Sequence, residues 1–133
     1  MFEQTIQRYF QALETSDYDG LMELFAPEAV VFSPLYGERK AVEFYQELFK
    51  DTASSKITLL RVFESGTTGA VLFRYDWVLK NGTSTFFECV DILEFSQGKI
   101  QSLKIIYDTS PVHILLSTSK PSTVEGTAGE VAA

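Results

Sequence analysis

Among the charged residues that interrupt the apolar and aromatic stretches in the second half of this chain, Arg74 and Asp76 in 70–80 and Asp91 in 83–95 are the candidates for chemistry. A carboxylate among apolar neighbours either belongs to a structural ion pair or is placed for acid–base work. Asp76, two residues from Arg74, is the candidate proton acceptor. Asp91 stands between Val90 and Ile92; burial there would raise its pKa and a nearby cation would lower it. Cys89 reads as a small buried hydrophobe. The single histidine, His113, follows Pro111 and reads as a surface or rim residue. The Asn81-Gly82 pair between the two stretches is a hairpin signal, because both residues tolerate positive φ. If these two form the whole turn, Lys80 faces Thr83, Asp76 faces Phe87, Arg74 faces Cys89 and Leu72 faces Asp91. Side chains alternate along a strand, so Arg74, Asp76 and Asp91 are then expected on one face. Phe73, Tyr75, Trp77, Phe86, Val90 and Ile92 take the other.

The elements that must position these groups can be read from periodicity. Phe2, Ile6, Tyr9, Phe10 and Leu13 lie at helical spacing and predict a helix over 2–15 with one buried stripe, which carries Tyr9. Ser16 or Asp17 can cap a second helix over 17–26. The run 29–32, stopped by Ser33-Pro34, reads as a short strand. Ala41, Phe44, Tyr45, Leu48 and Phe49 give a third helix over 38–50 with one apolar face. The period then changes. Strands are expected at 57–64, 70–80, 83–95 and 100–108, separated by turn-rich segments. The order ααβαββββ predicts an α+β domain: three N-terminal helices packed on a curved, cone-shaped antiparallel sheet built from 56–108. Residues 1–116 form the domain in this reading. Residues 117–133, rich in Ser, Thr, Gly and Ala with no aromatic residue, are expected to be a flexible tail.

Composition narrows the function classes. The chain has 133 residues, 45% of them hydrophobic and 14% aromatic, which suits one domain with a wide, ring-lined core. Its net charge of −7 disfavours nucleic acid and anionic membrane surfaces as partners. No apolar run approaches the roughly 20 residues that span a bilayer, and the first residues do not read as a signal peptide. A cytoplasmic location is the expectation. One cysteine and one histidine allow neither an internal disulfide nor a cysteine- or histidine-rich metal site, and no cofactor is expected.

Several stretches resemble ketosteroid isomerase and the wider SnoaL-like (nuclear transport factor two-like) superfamily. The first is Ile6-Gln7-Arg8-Tyr9-Phe10-Gln11-Ala12-Leu13, followed by Ser16-Asp17-Tyr18-Asp19-Gly20-Leu21 and Leu24-Phe25-Ala26. Ser33-Pro34 with Gly37, the helix over 41–49, Gly82, and Val90-Asp91-Ile92-Leu93-Glu94-Phe95 with Gly98-Lys99-Ile100 continue the match. The resemblance covers roughly residues 5 to 108. It implies a small-molecule pocket between helices and sheet. Ketosteroid isomerase pairs a first-helix Tyr with a protonated strand Asp as an oxyanion hole; Tyr9 and Asp91 match those positions. The isomerase's general base, an Asp before the proline after the first strand, is Ser33 here, and a hydroxyl is a poor proton acceptor at neutral pH. Arg74-Tyr75-Asp76 resembles the Arg-x-Asp of limonene-type epoxide hydrolases, whose second Asp corresponds to Ile105, with Asp108 three residues on.

These readings predict a pocket for a small apolar or amphipathic molecule, lined by Tyr9, Arg74, Asp76 and Asp91 with Ser33 at its rim. The activity would be cofactor-free acid–base chemistry of isomerase, cyclase or epoxide-hydrolase type, with Asp76 as base. The alternative is a non-catalytic ligand-binding or dimerisation module of the same fold. A homodimer is expected through the outer sheet face, centred on Tyr75, Trp77 and Phe86, because a monomer would expose those rings together.

Overall fold

The computed structural model describes residues 2–34 and 37–109. The proposed tail at 117–133 and His113 lie outside the described residues. Helix α1 (Phe2–Thr15) forms on the stripe read from the sequence and buries Phe2, Ile6, Tyr9, Phe10 and Leu13. Helix α2 (Tyr18–Met22) is only 5 residues long. Asp17 caps it by accepting a hydrogen bond from the Gly20 amide at 3.0 Å. The expected helix over 17–26 is therefore cut short: Phe25 already begins strand β1 (Phe25–Ser33). Phe25 and Ala29 are both buried, so this stretch satisfies a strand as well as a helix.

A four-residue strand, β2 (Gly37–Lys40), pairs antiparallel with the end of β1 and leads directly into helix α3 (Ala41–Asp51). It takes the first residues of the helix expected over 38–50. Strand β2 carries no alternating apolar pattern, so only its neighbour reveals it. The remaining strands are β3 (Thr52–Ser65), β4 (Thr68–Leu79), β5 (Ser84–Ser96) and β6 (Lys99–Tyr107). They form one six-stranded sheet in the order β2-β1-β6-β5-β4-β3. The sheet is mixed rather than wholly antiparallel, because β1 pairs with β6 in parallel. Those two strands are far apart in sequence, and local pattern does not encode which distant strand becomes a neighbour.

Three helices pack on one face of this curved sheet, and the core lies between. In β4 the alternation is regular: Val71, Phe73, Tyr75, Trp77 and Leu79 are buried, and the residues between them are half-buried. Trp77 is 1% exposed, and its indole N–H donates to Thr52 Oγ1 at 2.8 Å. The threonine hydroxyl in turn donates to the Leu48 carbonyl at 2.7 Å. The indole N–H is thus satisfied where α3 passes into β3. Gly69 is a close-approach position: a Cβ there would stand 2.1 Å from the ring of Phe2.

Candidate functional site

The β4–β5 hairpin determines which charged groups meet. Val71 pairs with Asp91, Phe73 with Cys89, Tyr75 with Phe87 and Asp76 with Phe86. This differs by one residue from the two-residue turn expected from Asn81-Gly82. The Leu79 amide donates to the Thr83 carbonyl at 2.8 Å, and the Gly82 amide to the Leu79 carbonyl at 2.9 Å. The loop is therefore Lys80-Asn81-Gly82. Gly82 has φ +90°, while Asn81 is not among the positive-φ residues. A type I′ turn needs positive φ at both central residues, whereas a three-residue loop needs it only at its last. One residue of slip moves a whole side-chain set to the other face. It corrects the expectation that Arg74, Asp76 and Asp91 share a face.

Asp91 points inward. It is 2% exposed and lies beside a small cavity of about 30 Å³ formed by α1, α3 and strands β4, β5 and β6. One buried water needs roughly 10–15 Å³, so the space as it stands is that of about two waters, and a larger occupant enters only if the surrounding rings move. Tyr9 comes from the buried stripe of α1 and Tyr45 from the buried stripe of α3. Their hydroxyls are 2.7 Å apart. Tyr9 donates onward to Asp91 Oδ2 at 3.4 Å, so the chain runs from Tyr45 through Tyr9 to the carboxylate. Cys89, on the same face of β5, donates its thiol to Asp91 Oδ1 at 3.5 Å. Phe44, Phe73, Tyr75 and Phe87 supply rings to the same cavity.

Burial dominates the electrostatics. The Asp91 carboxyl is pushed up to about 7 by desolvation, against smaller downward pulls from the Cys89 and Tyr9 hydrogen bonds. Desolvation also raises Tyr9, Tyr45 and Cys89 well above their ordinary values, reinforced by the Asp91 charge. At neutral pH the two tyrosines and the thiol hold their protons, and Asp91 is the group in the cavity able to exchange one.

Arg74 and Asp76 lie on the opposite, outward face. Arg74 Nη2 and Asp76 Oδ1 are 3.0 Å apart, and Arg74 Nε donates to Asp76 Oδ2 at 3.0 Å. Their side chains are 44% and 37% exposed. The guanidinium also stacks over Phe86, 4.1 Å from its ring centroid. The hydrogen bond from Arg74 holds the Asp76 carboxyl below the usual carboxylate range. The structure thus brings together Tyr9 and Asp91 of the four expected lining residues, and separates them from Arg74 and Asp76. Ser33 ends β1, is buried, and does not line the cavity. The rings placed outward by the two-residue turn divide too: Tyr75 and Trp77 are core residues, and Phe86 alone of the three is exposed. Sequence reasoning assigned Tyr45 no role. Its signal was a hydroxyl on the buried stripe of α3, facing another on the buried stripe of α1. A wider groove of about 210 Å³ lies where the N-terminus of α1 meets the β3–β4 and β5–β6 turns, lined by Phe2, Glu64, Thr67 and Phe95 among others, but Glu64 there is exposed to solvent.

Residues 6–103 match the family described as SnoaL-like domain. The chain belongs to the SnoaL-like domain family. Solved structures share its fold at low identity. An NTF2-like protein of unknown function from Burkholderia pseudomallei is 21% identical, with a TM-score of 0.73 over 85% of this chain and 95% of that one. AclR, a putative hydroxylase from Streptomyces galilaeus, is 14% identical, with a TM-score of 0.74 over 89% of this chain and 96% of that one. A hypothetical protein of ketosteroid isomerase-like fold from Catenulispora acidiphila, in complex with trimethylamine, is 16% identical, with a TM-score of 0.72 over 81% of this chain and 88% of that one. In this SnoaL-like domain the Asp91 cavity lies between the helices and the sheet. Among the described residues no helix is long and apolar enough to cross a membrane.

Proposed function

We propose that this SnoaL-like domain holds a compact, mostly apolar small molecule in the Asp91 cavity, with Tyr9, Tyr45 and Asp91 meeting its polar group. The observation that carries this reading is the Tyr45–Tyr9–Asp91 chain, buried throughout and ending beside the cavity. A buried polar chain of this kind costs stability unless it is satisfied. The Tyr45–Tyr9 link is short at 2.7 Å, but the Tyr9–Asp91 link is 3.4 Å, and an occupant would complete the bonding of the carboxylate. The chemistry open to the site is cofactor-free proton transfer, because Asp91 titrates near neutrality and can both accept and return a proton. Ser33 supplies no second base, so Asp91 takes the role first read for Asp76. Native mass spectrometry of the purified protein, with amide NMR on adding phenol, tests the reading. Phenol should shift the signals of Tyr9, Tyr45 and Asp91, and Asp91→Asn should weaken that response. Shifts confined to the outer face would contradict it.

The outer face supports a second element of the proposal, association of two copies. Phe86, Ile106, Phe63 and Phe32 are exposed there, at 56%, 44%, 57% and 36%, beside half-buried Leu72 and Val90. The same face carries Lys56, Arg61, Arg74 and Lys104 against Asp76, Glu88 and Glu94. It is close to neutral on a chain of net charge −7, so two copies meet here without the repulsion that other faces would bring. Phe86 remains in this interface; Tyr75 and Trp77 do not. Sedimentation equilibrium should give twice the chain mass, and Leu72→Glu should halve it. A wild-type monomer at micromolar concentration would remove this element and leave the cavity reading intact.

A further inference from the structure

Among the described residues, no cation answers the carboxylate in the cavity. The charged and titratable groups that face Asp91 are Tyr9 from α1, Tyr45 from α3, Tyr75 from β4 and Cys89 from its own strand. No described Lys, Arg or His lines the space. Asp91 accepts one long O–H···O bond, from Tyr9 at 3.4 Å, and one bond from the Cys89 thiol at 3.5 Å, an ordinary length for sulfur but from a weak donor. An O–H···O bond to a carboxylate ordinarily closes to roughly 2.5–2.7 Å, so the oxygens are under-bonded. Around them stand six aromatic rings, those of Tyr9, Phe44, Tyr45, Phe73, Tyr75 and Phe87. Aromatic faces attract cations, and a desolvated ring cage is the arrangement that recognises alkylated ammonium groups.

We infer that the cavity takes a small organic cation, of the tertiary or quaternary amine class, with the ammonium centre against Asp91 and its alkyl groups against the rings. This rests on the reading that the cavity binds a small molecule, and it names the class. Each component has a separate basis. The carboxylate supplies a buried negative charge that an ammonium centre would pair. The rings supply apolar contact and attraction for the same cation. The space of about 30 Å³ is that of about two waters, so the head must be compact and the rings must give way to admit it. The net charge of −7 draws cations toward the protein from a distance.

The inference carries its own pH signature. A bound cation stabilises ionised Asp91, so binding expels the proton that burial retains. Affinity for a permanently charged amine should rise by up to about tenfold per pH unit below the Asp91 midpoint and level off above it. A neutral occupant of the same shape should show no rise. A hydrogen-bonding phenol that favours protonated Asp91 should show the opposite trend.

Tetramethylammonium chloride, tert-butyl alcohol and phenol, titrated separately into the protein and followed by amide NMR, separate these cases. Tetramethylammonium is expected to shift the Cys89, Asp91 and Tyr45 signals, more strongly at about pH 8 than at about pH 6. Asp91→Asn is expected to weaken it at least tenfold and to leave tert-butyl alcohol unaffected. Should Asp91→Asn fold poorly, the pH series on the wild-type protein makes the same distinction. If phenol or tert-butyl alcohol shifts the cavity signals and tetramethylammonium does not, the cation assignment falls and the small-molecule reading stands. If none of the three shifts them, both fall. Tetramethylammonium binding that ignores pH overturns the pairing with Asp91.

Discussion

The two faces of the β4–β5 hairpin treat a carboxylate in opposite ways. On the outer face Asp76 is half-exposed, held by two hydrogen bonds from Arg74 Nε and Nη2, and kept ionised. On the inner face Asp91 is buried among tyrosine hydroxyls and a thiol, and it titrates near neutrality. The strands supply the same backbone to both. The difference lies in what each carboxylate gives up on leaving water and what replaces it. A carboxylate that meets its cation at a wet surface is settled and chemically quiet. One that meets only neutral donors in a buried cavity is left able to change charge, and that is the property a binding or proton-transfer site needs.

The largest test of this contrast is packing. Trp77→Ala, on the inner face, should destabilise the fold by about 3–5 kcal/mol, since it empties a large buried site and breaks the indole–Thr52 hydrogen bond. Phe86→Ala, nine residues on and outward, should cost the monomer less than about 1 kcal/mol. Denaturant unfolding of the two variants measures both. Equal losses would mean that the faces have been assigned wrongly.

The next effect is on the pH dependence of stability. The folded-state value of Asp91 lies above its unfolded value of about 3.9, so the folded protein binds the extra proton between the two. Stability contributed by this group is therefore full at low pH, falls as pH rises from about 4 to about 7, and is level above that. Asp91→Asn should flatten this decline and raise stability near pH 8 by a few kcal/mol relative to the wild type. Denaturation midpoints across the pH range check it. Asp76→Asn, which breaks an exposed pair, should change stability by no more than about 1 kcal/mol.

Much of this contrast was legible in the sequence, though not the sorting of residues between faces. The helical stripes of α1 and α3 could be read from Ile6, Tyr9, Leu13, Phe44, Tyr45 and Leu48, because periodicity is a local property. Five of the six strands, the SnoaL-like fold and the meeting of Tyr9 with Asp91 followed from the same stretches and the family resemblance. Register did not follow. Asn81-Gly82 fits both a two-residue and a three-residue loop, and the two differ in whether Asn81 must adopt positive φ. The packing of Tyr75 and Trp77 under the helices, which nothing near the turn reveals, goes with the second. Strand β2 and the parallel β1–β6 pairing were hidden for a related reason: both depend on partners that local pattern does not specify.

The central claim is that Asp91, and not Asp76, is the carboxylate that titrates near neutrality. Carbon-13 NMR of the side-chain carboxyl carbons, followed across pH in the wild-type protein and assigned with Asp91→Asn and Asp76→Asn, tests it directly. The account predicts a midpoint of about 7 for Asp91 and one below the ordinary carboxylate range for Asp76. An Asp91 midpoint near the ordinary value of about 4 would contradict it, showing a carboxylate that is solvated or paired rather than isolated in the cavity.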